Sequence, residues 1–140
     1  MNAARILEEY LTMRHEIDTG LPSLGQPFSW AVADGQMVYT SHGPVTSAGK
    51  ILQGDITAQT RLTLENLRQA IEAAGGSLDD VLQVQLYLLD VADMKPVDVV
   101  YAEMFRAPYP SRSTAVVAAL VAPGMRIELL ATARIASPKR

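Results

Sequence analysis

The 140-residue sequence contains no cysteine and only two histidines, His15 and His42. The first absence excludes a disulfide framework, a thiol nucleophile and any cysteine-ligated metal. The second leaves too little imidazole for a histidine-built metal centre. No Ser-His-Asp order, Walker loop or GxGxxG stretch is present. The chain also lacks a basic face: 12 basic against 15 acidic side chains give a net charge of −3, which argues against phosphate contacts with nucleic acid. No apolar run approaches the roughly 18 residues of a membrane span. The N-terminus sets acids among its apolar residues and has no signal-peptide h-region. The resulting expectation is a cytoplasmic protein that binds neither nucleic acid nor membrane and holds no metal.

What is present is ordinary globular material, 49% hydrophobic and 19% charged. The length suits one domain, able to bury roughly 68–70% of its unfolded surface. Residues 1–24 read as an N-terminal helix and loop, and 25–136 as the core. Ile6, Tyr10 and Met13 recur at helical spacing within 3–16. Two short β-type runs, 28–33 and 37–41, flank Asp34-Gly35, a pair that favours a hairpin turn because that turn needs positive φ. Residues 55–74 carry the clearest helical pattern: Ile56, Thr60, Leu64, Leu67, Ile71 and Ala74 form one stripe, with Gln59, Glu65, Arg68, Gln69 and Glu72 outside it. Asp55 suits its N-cap and Gly75 its left-handed C′ position.

A strand follows at 81–89, with Leu82, Val84, Leu86 and Leu88 on an apolar face and Gln83, Gln85 and Tyr87 opposite. A second helix, 94–105, has Asp93 as N-cap and buries Val97, Val100, Tyr101 and Met104. Two final strands are predicted at 114–121 and 126–135, joined through Pro123-Gly124. The order is a helix followed by ββαβαββ, which a single sheet with both later helices on one face satisfies as an α+β fold. That arrangement leaves one sheet face uncovered. In the last strand Met125, Ile127, Leu129, Ala131 and Ala133 take the core side by period-two alternation. Arg126, Glu128, Leu130, Thr132 and Arg134 join Gln83, Gln85 and Tyr87 on the other. Either water or another copy of the chain covers that face; the apolar Val116 and Leu130 assigned to it favour a homo-oligomer.

Arg112 is the side chain best suited to chemistry. It lies in Tyr109-Pro-Ser-Arg-Ser-Thr114, after a proline-stiffened approach, and its planar fork matches a carboxylate. Ser113, Thr114 and strand-end amides could add donors. The alternative is a solvated loop arginine.

Several segments are similar to the YjgF/RidA family, also called the L-PSP endoribonuclease family. Gly25-Gln-Pro-Phe-Ser-Trp-Ala-Val32 resembles its N-terminal G-P-Y-S-x-A-V segment, and Val38-Tyr-Thr-Ser41 its second strand, which ends in serine. Gly54-Asp-Ile-Thr-Ala-Gln-Thr-Arg61, Leu64-Glu-Asn-Leu67 and Glu72-Ala-Ala-Gly75 resemble its first helix. Ser77-Leu-Asp-Asp-Val81, Val100-Tyr-Ala-Glu103 and Pro108-Tyr-Pro-Ser-Arg-Ser-Thr114 complete a likeness that runs from about Gly25 to Ala133.

The resemblance implies a chorismate-mutase-like fold, a homotrimer whose sheets form a barrel, and inter-subunit clefts. In these clefts small 2-imino or enamino acids are hydrolysed to 2-oxo acids and ammonia without metal or organic cofactor. Arg112 then grips the substrate carboxylate, orienting the imine carbon. Ser41 matches the family serine near the cleft, and His42 stands where the family usually has glycine. Phe28 replaces a tyrosine, keeping the ring and losing the hydroxyl. The family's last strand reads I-E-I-E-A, its second glutamate handling the attacking water; here Ile127-Glu-Leu-Leu-Ala131 puts Leu130 in that place.

Leucine neither transfers a proton nor orients water. Glu128 lies two residues away on the same strand face, roughly 6.6 Å at the usual rise, and pairing with Arg126, Arg134 or a neighbouring subunit is its plainer role. His42 is the one candidate replacement acid–base group, against the reading of an exposed loop residue. Two functions follow: an imine deaminase with an atypical site, or a trimer that binds a carboxylate metabolite without turning it over. RNA cleavage rests on the family's older name alone, and the charge counts against it.

Overall fold

A computed structural model describes residues 2–139, and for residues 10–12 the backbone only. Its elements are α1 (Ala3–Thr12), β1 (His15–Glu16), β2 (Ala31–Asp34), β3 (Met37–His42), α2 (Ile56–Ala73), β4 (Val81–Leu88), α3 (Met94–Met104), β5 (Ser111–Val116) and β6 (Ile127–Arg134). Single 3₁₀ turns precede β4 and α3. The strands form one mixed sheet in the order β1-β2-β3-β6-β4-β5. All neighbours are antiparallel except β4 and β5, whose parallel pairing needs the crossover that α3 supplies. The fold is α+β, with α2 and α3 on one face.

The hairpin expected at Asp34-Gly35 joins β2 to β3, with Gly35 at φ 60°, a conformation L side chains avoid. Asp55 caps α2 by accepting from the Ala58 amide at 2.8 Å. The stripe of Leu64, Leu67, Ala70 and Ile71 packs with Val97, Val100 and Tyr101 of α3 against Val38, Val84, Leu86, Leu88, Ile127 and Leu129 of the sheet. Fully burying each such side chain contributes about 1.5–3 kcal/mol, which fixes the helices to this face.

Several sequence expectations are corrected. The first helix ends at Thr12 rather than near residue 16, because His15 and Glu16 pair with β2 as a short edge strand. Its stripe does not face the core: Ile6 and Met13 are exposed, and the Tyr10 side chain lies outside the described residues. Leu82 leaves the apolar face of β4, since a register shift between Val81 and Gln83 turns Val81 inward and leaves Leu82 exposed.

Gln59, assigned to the outside of α2, is fully buried. Its amide donates to the Leu52 carbonyl at 2.9 Å and the Gly124 carbonyl at 2.7 Å, and its oxygen accepts from the Arg126 amide at 2.8 Å. Asp93 holds the expected N-cap position of α3 but makes no side-chain capping bond; its buried carboxylate instead accepts from Arg126 Nη2 with both oxygens, at 2.9 and 3.1 Å. The penultimate strand begins at Ser111 and ends at Val116, so Arg112 and Thr114 lie inside it. Val116 pairs in register with Leu88 and so belongs to the helix side of the sheet, not to the uncovered face.

The uncovered face itself is present. Tyr39, Ser41, Leu130, Thr132, Gln83 and Gln85 occupy it, and Tyr39 and Leu130 are exposed. A shallow 120 Å³ hollow lined by Tyr39, Gln83, Gln85, Leu130 and Thr132 marks its centre.

Candidate active site

Parallel pairing sets Arg112 opposite Val84, so its side chain rises on the helix side of β5, beside α3. Asp98 and Tyr101, one helical turn apart, meet it there. The guanidinium sits 4.7 Å from the centroid of the Tyr101 ring, and its Nη2 donates to Asp98 Oδ1 at 2.7 Å. Ring and carboxylate together hold the guanidinium in place, one Nη2 bond engaging Asp98. Asp98, Tyr101, Ala102, Tyr109, Pro110 and Arg112 line an open pocket of 460 Å³. The Tyr101 hydroxyl is buried with no hydrogen-bond partner. Burial pushes it up to about 12; the Arg112 charge opposes the rise and the Asp98 charge adds to it.

The other residues singled out from sequence do not share this pocket. Ser41 pairs with Leu130, which pairs with Gln85, which pairs with Ser113, one row across the helix-free face. Ser41 therefore stands three strand spacings from the Arg112 strand, roughly 14 Å, and on the opposite side of the sheet. Glu128 lies on that same far side beside Tyr87. It does not pair with Arg126 or Arg134, because Asp93 holds the first and the Gln36 amide oxygen, at 2.7 Å, the second. Thr114 is exposed on β5, on the Arg112 side. Phe28 lies half-exposed before β2, its ring edge-on to Trp30 at 4.8 Å. One chain thus places these candidate residues in two groups on opposite faces of the sheet.

His42 is neither an exposed loop residue nor available for proton transfer. It ends β3 with its side chain on the core side, only 2% exposed, and stacks on Trp30 at 5.9 Å. Thr40 Oγ1 donates to the Trp30 carbonyl at 2.9 Å, so the His42 Nε2–H must be the donor in its close contact with Thr40 Oγ1. That leaves Nδ1 as a bare acceptor with no partner. Burial lowers its pKa to about 3, so the ring is neutral across the physiological range.

Two side chains of the pocket escaped the sequence reading. Asp98 was not singled out at all, and Tyr101 was assigned to the buried stripe of its helix. The signal available was their spacing of three on a helix that leads into the arginine-bearing strand. Among the described residues, no group of three or more His, Asp or Glu side chains is placed to hold a metal.

The family described as Endoribonuclease L-PSP matches residues 21–135. The chain belongs to this YjgF/Rid family. Among its Rid relatives, Reactive Intermediate Deaminase A of Arabidopsis thaliana chloroplasts is 34% identical over 114 residues, 79% of this chain and 61% of the plant protein. Protein HMF1 of Saccharomyces cerevisiae is 30% identical over 125 residues, covering 88% and 97%.

Among solved Rid structures, Escherichia coli TdcF with bound serine superposes with a TM-score of 0.79 at 32% identity, covering 86% of this chain and 98% of that one. RidA from the Antarctic bacterium Psychrobacter superposes at 0.78 and 30% identity, covering 84% and 95%. The α+β architecture found here is therefore the Rid architecture. No helix among the described residues is long and apolar enough to cross a membrane. A further relative, mmf2 of Schizosaccharomyces pombe, 36% identical over 98 residues (70% of this chain, 78% of that one), is mitochondrial, so family membership does not assign a compartment.

Proposed function

We propose that the protein hydrolyses small 2-imino or enamino acids to 2-oxo acids and ammonia, in clefts between the copies of a homotrimer of chorismate-mutase-like subunits. The observation that carries this reading is the Arg112 guanidinium, held over the Tyr101 ring by Asp98 at the mouth of a pocket sized for a small molecule. A substrate carboxylate on the remaining guanidinium N–H groups fixes the adjacent imine carbon against attacking water. Water adds to that carbon, the C–N bond breaks, and ammonia leaves as the carbonyl forms. The chain's own groups supply orientation and charge, with no covalent step and no cofactor.

The two groups of candidate residues on opposite sheet faces support the trimer. Ser41, Leu130 and Glu128 of one copy can meet Arg112 and Thr114 only across an interface, and the exposed Tyr39 and Leu130 supply it with apolar area. The relatives support the chemistry: one is named a reactive intermediate deaminase, and TdcF binds serine, a small zwitterionic carboxylate. Phe28, Leu130 and Tyr109 give the cleft apolar walls, which suit an aliphatic side chain better than the smallest imines.

The test is to generate 2-imino acids with an amino-acid oxidase and trap them with semicarbazide. Native protein suppresses semicarbazone formation and Arg112→Ala does not, with the largest suppression for aliphatic imines. Absence of suppression by the native protein overturns the hydrolase reading. A second reading, carboxylate binding without turnover, is favoured by two observations: Leu130 brings no acid, and His42 is sealed away neutral. In that case 2-oxo acids raise the melting temperature while trapping is unaffected.

A further inference from the structure

The hydrolase reading leaves the substrate nitrogen without a protein partner, yet the Arg112 pocket contains one acid. Asp98 is the only carboxylate among the residues that line it. It touches the arginine directly, Oδ1 to Nη2 at 2.7 Å, and its side chain remains 51% exposed on the open side of the pocket. Arg112 is much more covered, with its side chain 24% exposed over the Tyr101 ring. A bare arginine would recognise any carboxylate. An arginine with an aspartate in contact recognises a carboxylate joined to a positive charge, since a simple anion meets both attraction and repulsion there.

In a 2-imino acid the nitrogen is borne by the carbon next to the carboxylate. A ligand whose carboxylate lies on the free N–H groups of Arg112 therefore presents its nitrogen within the span that Asp98 and Arg112 already bridge. We propose that Asp98 is a substrate-binding residue that accepts a hydrogen bond from the protonated nitrogen, making the pocket a receptor for 2-iminium and 2-ammonium acids. This rests on the hydrolase reading for its substrate and names how that substrate is selected.

Two consequences follow from the charges. An anion beside the imine nitrogen favours its protonated form, and the iminium carbon is the better electrophile. Asp98 thus activates the substrate without exchanging a proton with it. The product of hydrolysis puts a carbonyl oxygen where the nitrogen was, facing the Asp98 carboxylate. The pocket therefore rejects its own 2-oxo acid product, and release follows from the same contact that selects the substrate.

Calorimetric titration with 2-aminobutyrate and 2-oxobutyrate, which share a carbon skeleton, tests this in the native protein, Asp98→Asn and Arg112→Ala. The asparagine keeps the size and a hydrogen bond to Arg112 and loses only the charge. The native protein should bind the amino acid about tenfold more tightly than the oxo acid, the range of one charge-assisted hydrogen bond. Asp98→Asn should abolish or reverse that preference, weakening the amino acid about tenfold while tightening the oxo acid; a merely structural role would weaken both alike.

If both ligands need Arg112 and Asp98→Asn leaves their ratio unchanged, the proposal is overturned while the carboxylate anchor stands. If the native protein binds neither ligand, proposal and anchor fall together. If the ratio inverts but semicarbazide trapping shows no turnover, Asp98 keeps this role and the hydrolase reading falls.

Discussion

Ser41 and Arg112 of one chain lie on opposite sides of the same sheet, three strand spacings apart, each half-buried in its strand. On the proposed trimer reading, these are two parts of one site that the helix-free face brings together between copies. Tyr39 pairs with Thr132 on that face, is 53% exposed and contributes nothing to the core. Tyr39→Arg should place a charge in the interface and leave the subunit folded. Light scattering should show the native mass falling from three copies to one, and semicarbazone formation should return toward its level without protein, although Arg112 is untouched. A fully active monomer would remove the inter-subunit site from the account.

His42 gives a pH signature through stability rather than activity. Folded, it takes up a proton only near pH 3; unfolded, it does so near its ordinary 6.5. Between these values the unfolded chain binds more protons. The stability contributed by the neutral buried ring is thus complete above pH 6.5 and is lost as pH falls toward 3, at a slope approaching about 1.4 kcal/mol per pH unit. His42→Gln should flatten the denaturation free energy over pH 4–6 relative to the native chain, a comparison in which the carboxylates cancel. Equal slopes in the two proteins would mean that the ring is charged or exposed in the fold.

Gln59 ties two stretches of backbone, around Leu52 and around 124–126, to helix α2. Its amide meets the carbonyls of Leu52 and Gly124, and its oxygen meets the Arg126 amide where β6 is about to begin. Gln59→Leu keeps the volume and strands these three backbone groups. Each half-buried group left unpaired costs about 1 kcal/mol, so urea denaturation should show a loss of about 3 kcal/mol. A loss below about 1 kcal/mol would indicate that water replaces the side chain at all three.

The same residue shows where the sequence could be read and where it could not. Helix α2 was legible because six apolar or small positions repeat at its period and Asp55 caps it, both properties of neighbours in sequence. Gln59 was misplaced because a polar side chain reads as exposed unless its partners are known, and two of them lie more than sixty residues away. Arg112 was legible from its fork chemistry and proline-bound segment. Asp98 was not, since only the crossover from α3 to β5 brings an acid fourteen residues earlier onto that guanidinium. His42 sits beside a polar serine in a segment that reads as turning outward; strand alternation sends it inward instead. Val116 was given to the wrong face because the strand was predicted three residues late, and strand faces depend on register.

Leu130 offers the sharpest test of what the cleft has lost. It stands between Ser41 and Gln85 on the helix-free face, 40% exposed, where the family resemblance implies a glutamate that handles water. A carboxylate there would stay partly hydrated, so Leu130→Glu should change stability by less than about 1 kcal/mol. A correctly placed general base is worth about 10²–10⁴ in rate, so the variant should hydrolyse the smallest imines on the order of a hundredfold faster. Aliphatic imines, which gain from the leucine wall, should improve less. The readout is the ratio of semicarbazone suppression for small against aliphatic imines at equal protein concentration. A variant that still binds 2-oxo acids yet is no faster on any imine would show that water is activated elsewhere in the cleft, with Glu128 and the Asp98 and Arg112 pair as the remaining charged groups able to do it.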